Sequence, residues 1–166
     1  NTDEAMSCKL NYSRQQQAQQ NWCWAAVSAS IWTYYGRPPA WTQCDIVNAE
    51  LGQSTCCANG SSTACDQPWY LDKALTRVGC YQGPGVAPLP LMDCQSEICN
   101  SKRPVGVRIQ WAGGGGHFVV LTGIGAESSP LLVVEDPWYG TSFVTHAVLS
   151  SSYKGLGSWS HTYFTK

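Results

Sequence analysis

The sequence predicts an α+β fold in which a helical N-terminal half packs against a mostly antiparallel sheet formed by the C-terminal half. Capped or alanine-rich apolar segments dominate residues 1–103, whereas short β-branched runs separated by Gly, Pro and Ser dominate residues 104–166. The total of 166 residues suits one domain that spans 1–166. These three observations lead to the predicted fold class.

Four helices are expected in the first half. The segment 22–36 is apolar and alanine-rich and ends at a glycine soon followed by two prolines, which indicates a buried helix. A second helix is expected from Thr42, where T-Q-C-D resembles a capping box, to Gly52. A third covers 68–79, because proline is favoured in the first turn, and a shorter fourth covers 91–100.

Five strands are expected after Pro104, because helical spacing gives way there to β-branched and apolar runs. These runs are VGVRIQW, HFVVLTGI, LLVVE, SFVTHAVL and WSHTYF. Consecutive strands that follow consecutive helices favour an α+β arrangement with antiparallel pairing.

Charge and hydropathy exclude several classes of partner. Charged residues make up 13% of the chain and the formal net charge is −1, so neither nucleic acid nor a membrane is expected as a partner. No stretch approaches the ~20 apolar residues of a membrane helix, and the N-terminus lacks the regions of a signal peptide. We expect a mature chain, secreted to the extracellular space or the periplasm.

The nine cysteines indicate an oxidising compartment, because a reducing cytosol rarely leaves so many without a metal. A structural zinc site is the competing explanation, but the chain has no C-x-x-C pair and no short H-x₃₋₅-H spacing. Disulfides are the better interpretation, and an odd count leaves at least one thiol over. The cysteines assigned to disulfides, without a connectivity, are Cys8, Cys44, Cys56, Cys57, Cys65, Cys80, Cys94 and Cys99.

Cys23 is the cysteine expected to stay free and to act as a nucleophile. It lies in the first turn of the predicted helix at 22–36, where unpaired N–H groups and the helix dipole stabilise a thiolate. A thiolate needs a base, and histidine suits this role because its pKa lies near neutrality. His117 is the best candidate, because it follows the run AGGGG and opens a strand, whereas His146 and His161 lie within strand-like runs.

Asp136 is the candidate for orienting the imidazole. It ends the apolar run LLVVE, on the strand after the His117 strand, and precedes Pro137. A turn-forming Asp-Pro dipeptide is the plainer interpretation of the same residues. The glycines Gly115 and Gly116 would let a substrate backbone approach the histidine closely.

A side-chain amide from the glutamine run upstream of Cys23 is expected to join the Cys23 N–H in binding the developing oxyanion. The run offers glutamines at positions 15, 16, 17, 19 and 20. Gln17 is the choice, with Gln19 or Gln20 as replacements, although such a run is also typical of a solvated segment.

The order Q-x₅-C-W, then G-H-F in a strand, then D-P-W resembles the papain-like cysteine peptidases, especially the short bacterial branch with staphopain-like enzymes and plant-pathogen effector proteases. The closest phrases are NWCWAA and GGGGHFVVLTG. The resemblance implies a papain-like fold and carries the family's roles onto these residues: Cys23 as nucleophile, His117 as base, Asp136 as orienting residue and Gln17 in the oxyanion hole.

The same resemblance places Trp24 and Trp138 beside the site as aromatic cleft residues, although both positions also suit a core. Three departures from papain itself are visible. The first is Q-N-W-C-W where papain has C-G-S-C-W. The third member of the expected triad is Asp136, where papain has Asn. The interval from the cysteine to the histidine is 94 residues instead of ~130–150. Substrate preference is therefore not transferred.

The resemblance implies a secreted cysteine endopeptidase that acts through a Cys-His-Asp triad and an acyl-enzyme, with no metal or other cofactor. The expected partners are a protein or peptide substrate and a proteinaceous inhibitor or pro-segment, and the enzyme is expected to be a monomer. Two alternatives stay open. One is another cysteine amide hydrolase or acyl transferase, such as a peptidoglycan amidase or endopeptidase or a protein deamidase. The other is a catalytically inactive, disulfide-rich binding protein.

Overall fold

The computed structural model describes residues 8–166 and confirms the α+β fold, with helices packed on an antiparallel sheet. The helices in this range are α1 (Cys23–Tyr35), α2 (Gln43–Leu51), α3 (Leu71–Arg77), α4 (Leu91–Gln95), a π-helical turn (Ser96–Asn100) and α5 (His146–Ser151). The strands are β1 (Cys8–Lys9), β2 (Tyr81–Gly85), β3 (Val105–Trp111), β4 (Gly116–Ile124), β5 (Leu131–Asp136), β6 (Gly140–Thr145) and β7 (Gly157–Thr165). They pair antiparallel in the order β2-β7-β3-β4-β5-β6, and β1 pairs with β4.

Helices α1 and α2 begin and end as their sequences predict. Both stop at a glycine in the left-handed conformation, Gly36 (φ 68°) and Gly52 (φ 64°), which glycine adopts without strain. The Thr42 hydroxyl accepts from the N–H of Asp45, and the reciprocal bond completes the capping box. Helix α1 is buried along residues 23–31, which explains why its sequence is apolar throughout rather than amphipathic.

The third predicted helix is shorter than expected. It begins at Leu71 rather than Pro68, because the backbone of Tyr70 is extended (φ −99°, ψ 122°). The fourth is present at 91–100 but divides into α4 and the π-helical turn. Residues 68–70 are thereby left outside the helix, beside the site described below.

All five predicted strand regions contribute to the sheet, with one error within them. The run SFVTHAVL holds the end of β6 and the start of α5, because the Thr145 hydroxyl caps the helix by accepting from the N–H of Val148. The prediction that His146 lies in a strand is therefore wrong. The sequence analysis also missed β1, which has two residues, and β2, whose sequence YQGPG lacks β-branched residues. Both precede residue 104, so the sheet extends beyond the predicted half.

Apolar side chains cover both faces of the sheet. Phe118 and Val120 of β4 pack with α1, α2 and α3, whereas Val119 and Leu121 point to the opposite face and pack with α5 and the π-helical turn. Because both faces of β4 are covered in this way, the strand that carries His117 lies in the centre of the molecule. Within residues 8–166, no helix has the length and apolar character needed to cross a bilayer.

Three disulfides join six of the nine cysteines, all of which lie within the described residues. The pairs are Cys8–Cys99, Cys44–Cys57 and Cys56–Cys65. The assignment of Cys80 and Cys94 to disulfides is wrong, because both are buried free thiols that belong to different core clusters. Cys23 is free as well. The odd cysteine count therefore does not single out Cys23, and its role depends on its neighbours.

Candidate active site

Cys23 is the first residue of α1, and a neighbouring loop holds this helix start in place. The residue is only 8% exposed. The main-chain N–H of Asn21 and the indole N–H of Trp22 both donate to the loop 65–67, each over 2.8 Å. The Cys56–Cys65 disulfide fixes that loop in turn. The thiol is therefore held at the positive end of the α1 dipole.

His117, near the start of β4, connects the thiol to a carboxylate. Its Nε2–H donates to Oδ1 of Asp136 over 2.7 Å, which leaves Nδ1 for the Cys23 thiol in the same cavity. Burial lowers the pKa of His117, but the bonds and charges of Asp136 and Cys23 outweigh burial and raise the pKa to about 9. A charged imidazole beside a sulfur is the arrangement that activates a thiolate.

Asp136 is fully buried at the end of β5, and its carboxylate accepts four hydrogen bonds. Oδ1 accepts from His117 and from the main-chain N–H groups of Trp138 (2.8 Å) and Tyr139 (3.0 Å), and Oδ2 accepts from the Tyr153 hydroxyl (2.7 Å). Burial raises the pKa of Asp136, but the bonds to His117, Tyr153 and the turn outweigh burial and hold the pKa below its usual value. The same residue thus serves both as a turn former and as the partner of the imidazole.

Gln17 lies beside the thiol, and its amide is bonded to the main chain. The Gln17 N–H donates to the Pro137 carbonyl over 2.9 Å, which ties the segment before α1 to the β5–β6 turn. Its Nε2 donates to the carbonyl oxygens of Gln19 (3.0 Å) and Gln20 (2.8 Å). Among the described residues, Oε1 of Gln17 is buried without a partner. Both N–H bonds of this amide are therefore taken by the main chain in this structure.

A cavity of about 250 Å³ opens over the thiol and the imidazole. Besides Cys23 and His117, its lining includes Gln17, Pro68, Trp111, Gly116, Trp138 and Tyr139, and we call it the Cys23 pocket. Trp138 and Gly116 thus lie where the sequence analysis expects them, and Trp138 is 47% exposed. Gly115 lies in the preceding turn (φ 84°) and is not part of the lining.

The prediction that Trp24 lines the cleft is wrong. Trp24 has no exposed surface and packs in the core between the helices and the sheet. Its indole N–H donates to the carbonyl of Gln67 over 2.9 Å, so it helps to fix the loop beside α1. The residue after Cys23 faces the core because α1 is buried on nearly every side at this point.

Trp111, Tyr139 and Tyr153 are parts of the site that the sequence analysis missed. The Trp111 ring lies nearly parallel to the His117 ring, with centroids 5.9 Å apart, and to the Tyr153 ring at 6.3 Å. Tyr139 meets the imidazole edge-on at 6.4 Å. No local pattern marks Tyr153, because its role depends on a contact with Asp136 from another element. The turn sequence K-G-L-G after it is the one local signal, and it places Tyr153 in the turn before a strand.

The other two histidines have different partners. His146 donates from Nε2 to the Leu89 carbonyl over 2.7 Å, and the exposed His161 on β7 contacts the Ser160 hydroxyl over 2.9 Å. A group with metal-ligand side chains occurs within residues 8–166 at Cys44, Asp45 and Cys57. Its two sulfurs are already bonded to each other as a disulfide.

A larger groove of about 910 Å³ adjoins the Cys23 pocket, and we call it the Pro68 groove. Pro68 lines both cavities, and Phe118 of the groove directly follows His117 on β4. The groove has aromatic walls, formed by Trp69, Tyr70, Tyr81, Phe118 and Tyr163. The extended segment 68–70, which replaces the predicted first turn of α3, forms part of this wall.

The fold and the site together define a papain-like cysteine peptidase. The family described as "Papain-like cysteine protease AvrRpt2" matches residues 5–153, and the chain belongs to this family. Among solved structures, the chain is similar to one described as "Crystal structure of a double glycine motif protease from AMS/PCAT transporter in complex with the leader peptide". That similarity has a TM-score of 0.52 and 20% sequence identity, covers 95% of this chain and 93% of the other, and concerns the fold alone. A search of curated proteins gave no match.

Proposed function

We propose that the protein is a secreted endopeptidase in which Cys23 is the nucleophile, His117 is the acid and base, and Asp136 orients His117. The observation that carries this proposal is the meeting of the Cys23 thiol and the His117 imidazole at one cavity, with His117 bonded to Asp136 over 2.7 Å. Because the pKa of His117 is raised to about 9, the sulfur faces a charged imidazole throughout the neutral range.

In the first half of the reaction, Sγ of Cys23 attacks the carbonyl carbon of the scissile peptide bond, and the carbonyl oxygen becomes an oxyanion. The Cys23 main-chain N–H lies in the first turn of α1, where N–H groups have no intrahelical acceptor, and it stabilises this oxyanion. The imidazolium of His117 then gives its proton to the leaving nitrogen while the C–N bond breaks. A thioester on Cys23 results.

In the second half, water attacks the thioester carbon while His117 takes a proton from the water. The C–S bond breaks, the carboxylic acid product leaves, and the thiolate and imidazolium of the starting pair form again. Asp136 keeps the proton on Nε2 of His117, so that Nδ1 faces the reacting atoms in both halves.

Gln17 is the second oxyanion donor in this proposal. Of its two Nε2 hydrogen bonds, the one to Gln19 is the longer (3.0 Å against 2.8 Å), so the developing oxyanion replaces that bond. Catalytic hydrogen bonds often reach their final geometry only when substrate is bound. The bond from Gln17 to Gln20 keeps the amide in place during the exchange.

A peptide chain is the substrate that suits the cavities best. The Pro68 groove extends the Cys23 pocket with aromatic walls, of the kind that bind side chains, and its lining also includes Asp72 and Arg108. The similar solved structure is described as a protease in complex with the leader peptide, which supports a peptide as the substrate here. Three disulfides support export, because such bonds persist in oxidising compartments.

Incubation with a denatured protein mixture, followed by mass spectrometry of new N-termini, tests this function. The wild-type chain should produce new internal termini, and Cys23→Ala should produce none while keeping the wild-type melting temperature. New termini at an equal rate with Cys23→Ala would contradict the mechanism. Release of peptides from peptidoglycan, with no cleavage of proteins, would contradict the endopeptidase and favour a cell-wall hydrolase.

A further inference from the structure

Tyr153 is a fully buried tyrosine whose hydroxyl lies 2.7 Å from Oδ2 of Asp136. An ionised carboxylate only accepts hydrogen bonds, so Tyr153 is the donor. His117 donates to the other oxygen, Oδ1, over 2.7 Å. The carboxylate is thus held between the phenol on one side and the imidazole on the other.

The main chain fixes the position of Tyr153. Its N–H donates to the carbonyl of Gly157 over 2.8 Å, and its own carbonyl accepts from the Gly157 N–H over 2.9 Å, which closes a tight turn between α5 and β7. Gly157 packs so closely on β3 that an added Cβ would lie 2.3 Å from Cγ2 of Ile109. The main chain of Tyr153 is therefore fixed relative to β3, so its ring can leave Asp136 only by rotation of the side chain.

The ring packing ties Tyr153 to the catalytic histidine as well. Trp111 lies nearly parallel to the phenol (interplanar angle 22°) and to the imidazole of His117 (20°). Burial and the neighbouring Asp136 raise the pKa of Tyr153, so the hydroxyl keeps its proton and stays a donor. A core with no use for this hydroxyl would accommodate phenylalanine at the same place.

We propose that Tyr153 is a positioning residue for the peptidase reaction, which holds the Asp136 carboxylate so that Oδ1 points at Nε2 of His117. The inference rests on the proposed roles of Asp136 and His117. The terminal torsion of an aspartate is broad. His117 and the N–H groups of the turn all bind Oδ1, so the Tyr153 hydroxyl is the donor that holds the other oxygen, Oδ2, against rotation. Loss of the hydroxyl also leaves more negative charge on the oxygen that faces the imidazole.

The effect on His117 has a defined direction. The hydrogen of the Tyr153 hydroxyl withdraws negative charge from Asp136. Its removal therefore makes the carboxylate stabilise the imidazolium more strongly, which raises the pKa of His117. Other groups near this pair among the described residues include Cys23 from α1, the Ser142 hydroxyl from β6, Tyr139 from the β5–β6 turn and Lys154, whose Nζ lies 5.6 Å from the Tyr153 ring centroid. None of them changes when the hydroxyl is removed.

The test compares Tyr153→Phe with Tyr35→Phe, a matched control. The Tyr35 hydroxyl also makes a hydrogen bond, to Oγ1 of Thr165 over 2.6 Å, at the far end of α1. In Tyr153→Phe we expect kcat to fall by about tenfold, the lower end of what supporting hydrogen bonds contribute at other sites, with KM unchanged. Tyr35→Phe should keep the wild-type kcat. In an Asp136→Ala background, Tyr153→Phe should cause no further loss, because the two residues act as one unit.

A second readout does not depend on turnover. NMR of a chain with labelled histidine follows three imidazoles, of which His117 is assigned by its loss in His117→Ala. The pKa of His117 should move upward in Tyr153→Phe and stay in place in Tyr35→Phe. If the wild-type chain cleaves no peptide, the proposed function fails, whereas the NMR titration still tests the positioning role.

Wild-type kcat together with an unmoved His117 titration in Tyr153→Phe would overturn the inference. An equal loss of kcat in the Asp136→Ala background would do the same. Should Tyr153→Phe fail to fold, 3-fluorotyrosine at position 153 decides the question, because its hydroxyl is a stronger donor. The His117 pKa should then move downward, and an unmoved pKa would overturn the proposal.

Discussion

At the scale of single residues, the charge on His117 links the geometry of the site to pH. Because its pKa is raised to about 9, the imidazolium is present at neutral pH and is lost as the pH rises through about 9. We therefore expect kcat/KM for a peptide substrate to stay level through neutral pH and to fall near pH 9. A pH profile of kcat/KM measured at constant ionic strength checks this. An alkaline fall centred on the ordinary histidine pKa of ~6.5 would contradict it.

Substitutions of Asp136 separate its charge from its shape. Asp136→Ala removes both and should lower kcat by on the order of 10³-fold or more, as the loss of an orienting residue does in related triads. Asp136→Asn keeps an acceptor for His117 and should retain more activity than Asp136→Ala. Since the carboxylate charge that raises the His117 pKa is gone, the alkaline limb of the pH profile should move to lower pH. Equal activities of the two variants would contradict this account.

The sequence could predict site residues that lie where a helix or strand begins or ends. Cys23 begins a helix, His117 opens a strand and Asp136 ends one, and each boundary has a sequence signal. Tyr153 could not be found in this way, because its partner lies on another element. Trp24 was misassigned because the position next to a nucleophile does not reveal which face of α1 is buried.

At the scale of elements, the Cys56–Cys65 disulfide secures the start of α1 through the loop 65–67. The double variant Cys56→Ser with Cys65→Ser should lose about 2–4 kcal/mol of unfolding free energy, and its kcat should also fall, because Asn21 and Trp22 lose a fixed partner. Urea unfolding and peptide kinetics measure the two effects.

The Cys44–Cys57 disulfide provides the matched control. It links α2 to the same long loop, and its cysteines make no hydrogen bond to residues 21–24 among the described contacts. The variant Cys44→Ser with Cys57→Ser should be less stable but keep kcat near that of the wild type. An equal loss of kcat in the two variants would show that the loop does not position α1.

Elements with a repeating apolar pattern were predictable, and those without one were not. The strand VGVRIQW coincides with β3, and the capping box at Thr42 and the glycine at Gly36 mark real helix ends. By contrast, β2 owes its strand conformation to pairing with β7, and its own sequence contains Gly and Pro. Tertiary pairing also explains the short β1, which is placed on β4 beside the Cys8–Cys99 disulfide.

At the scale of the whole molecule, the Cys23–His117 pair spans the boundary between helices and sheet. The thiol belongs to α1 and the imidazole to β4, and these two elements pack together through the core that contains Phe118 and Val120. The disulfides Cys8–Cys99 and Cys56–Cys65 add covalent links on both sides of this boundary. The arrangement of the site therefore depends on the complete fold rather than on any one segment.

The number of free thiols in the chain can be measured directly. The odd number of cysteines requires at least one free thiol, and the structure has three, because pairing depends on which sulfurs lie within bonding distance. Alkylation of the denatured, unreduced chain should therefore modify three cysteines. A count of one would contradict the separate burial of Cys80 and Cys94.

Labelling of the folded, unreduced chain with a thiol-directed epoxide at neutral pH tests whether Cys23 is the reactive thiol. Burial raises the pKa of Cys80, and it raises that of Cys94 to about 12, so neither should react before denaturation. Peptide mapping should find the label on Cys23 alone, and His117→Ala should slow the labelling greatly. A label on Cys80 or Cys94, with Cys23 unmodified, would contradict the assignment of Cys23 as the nucleophile.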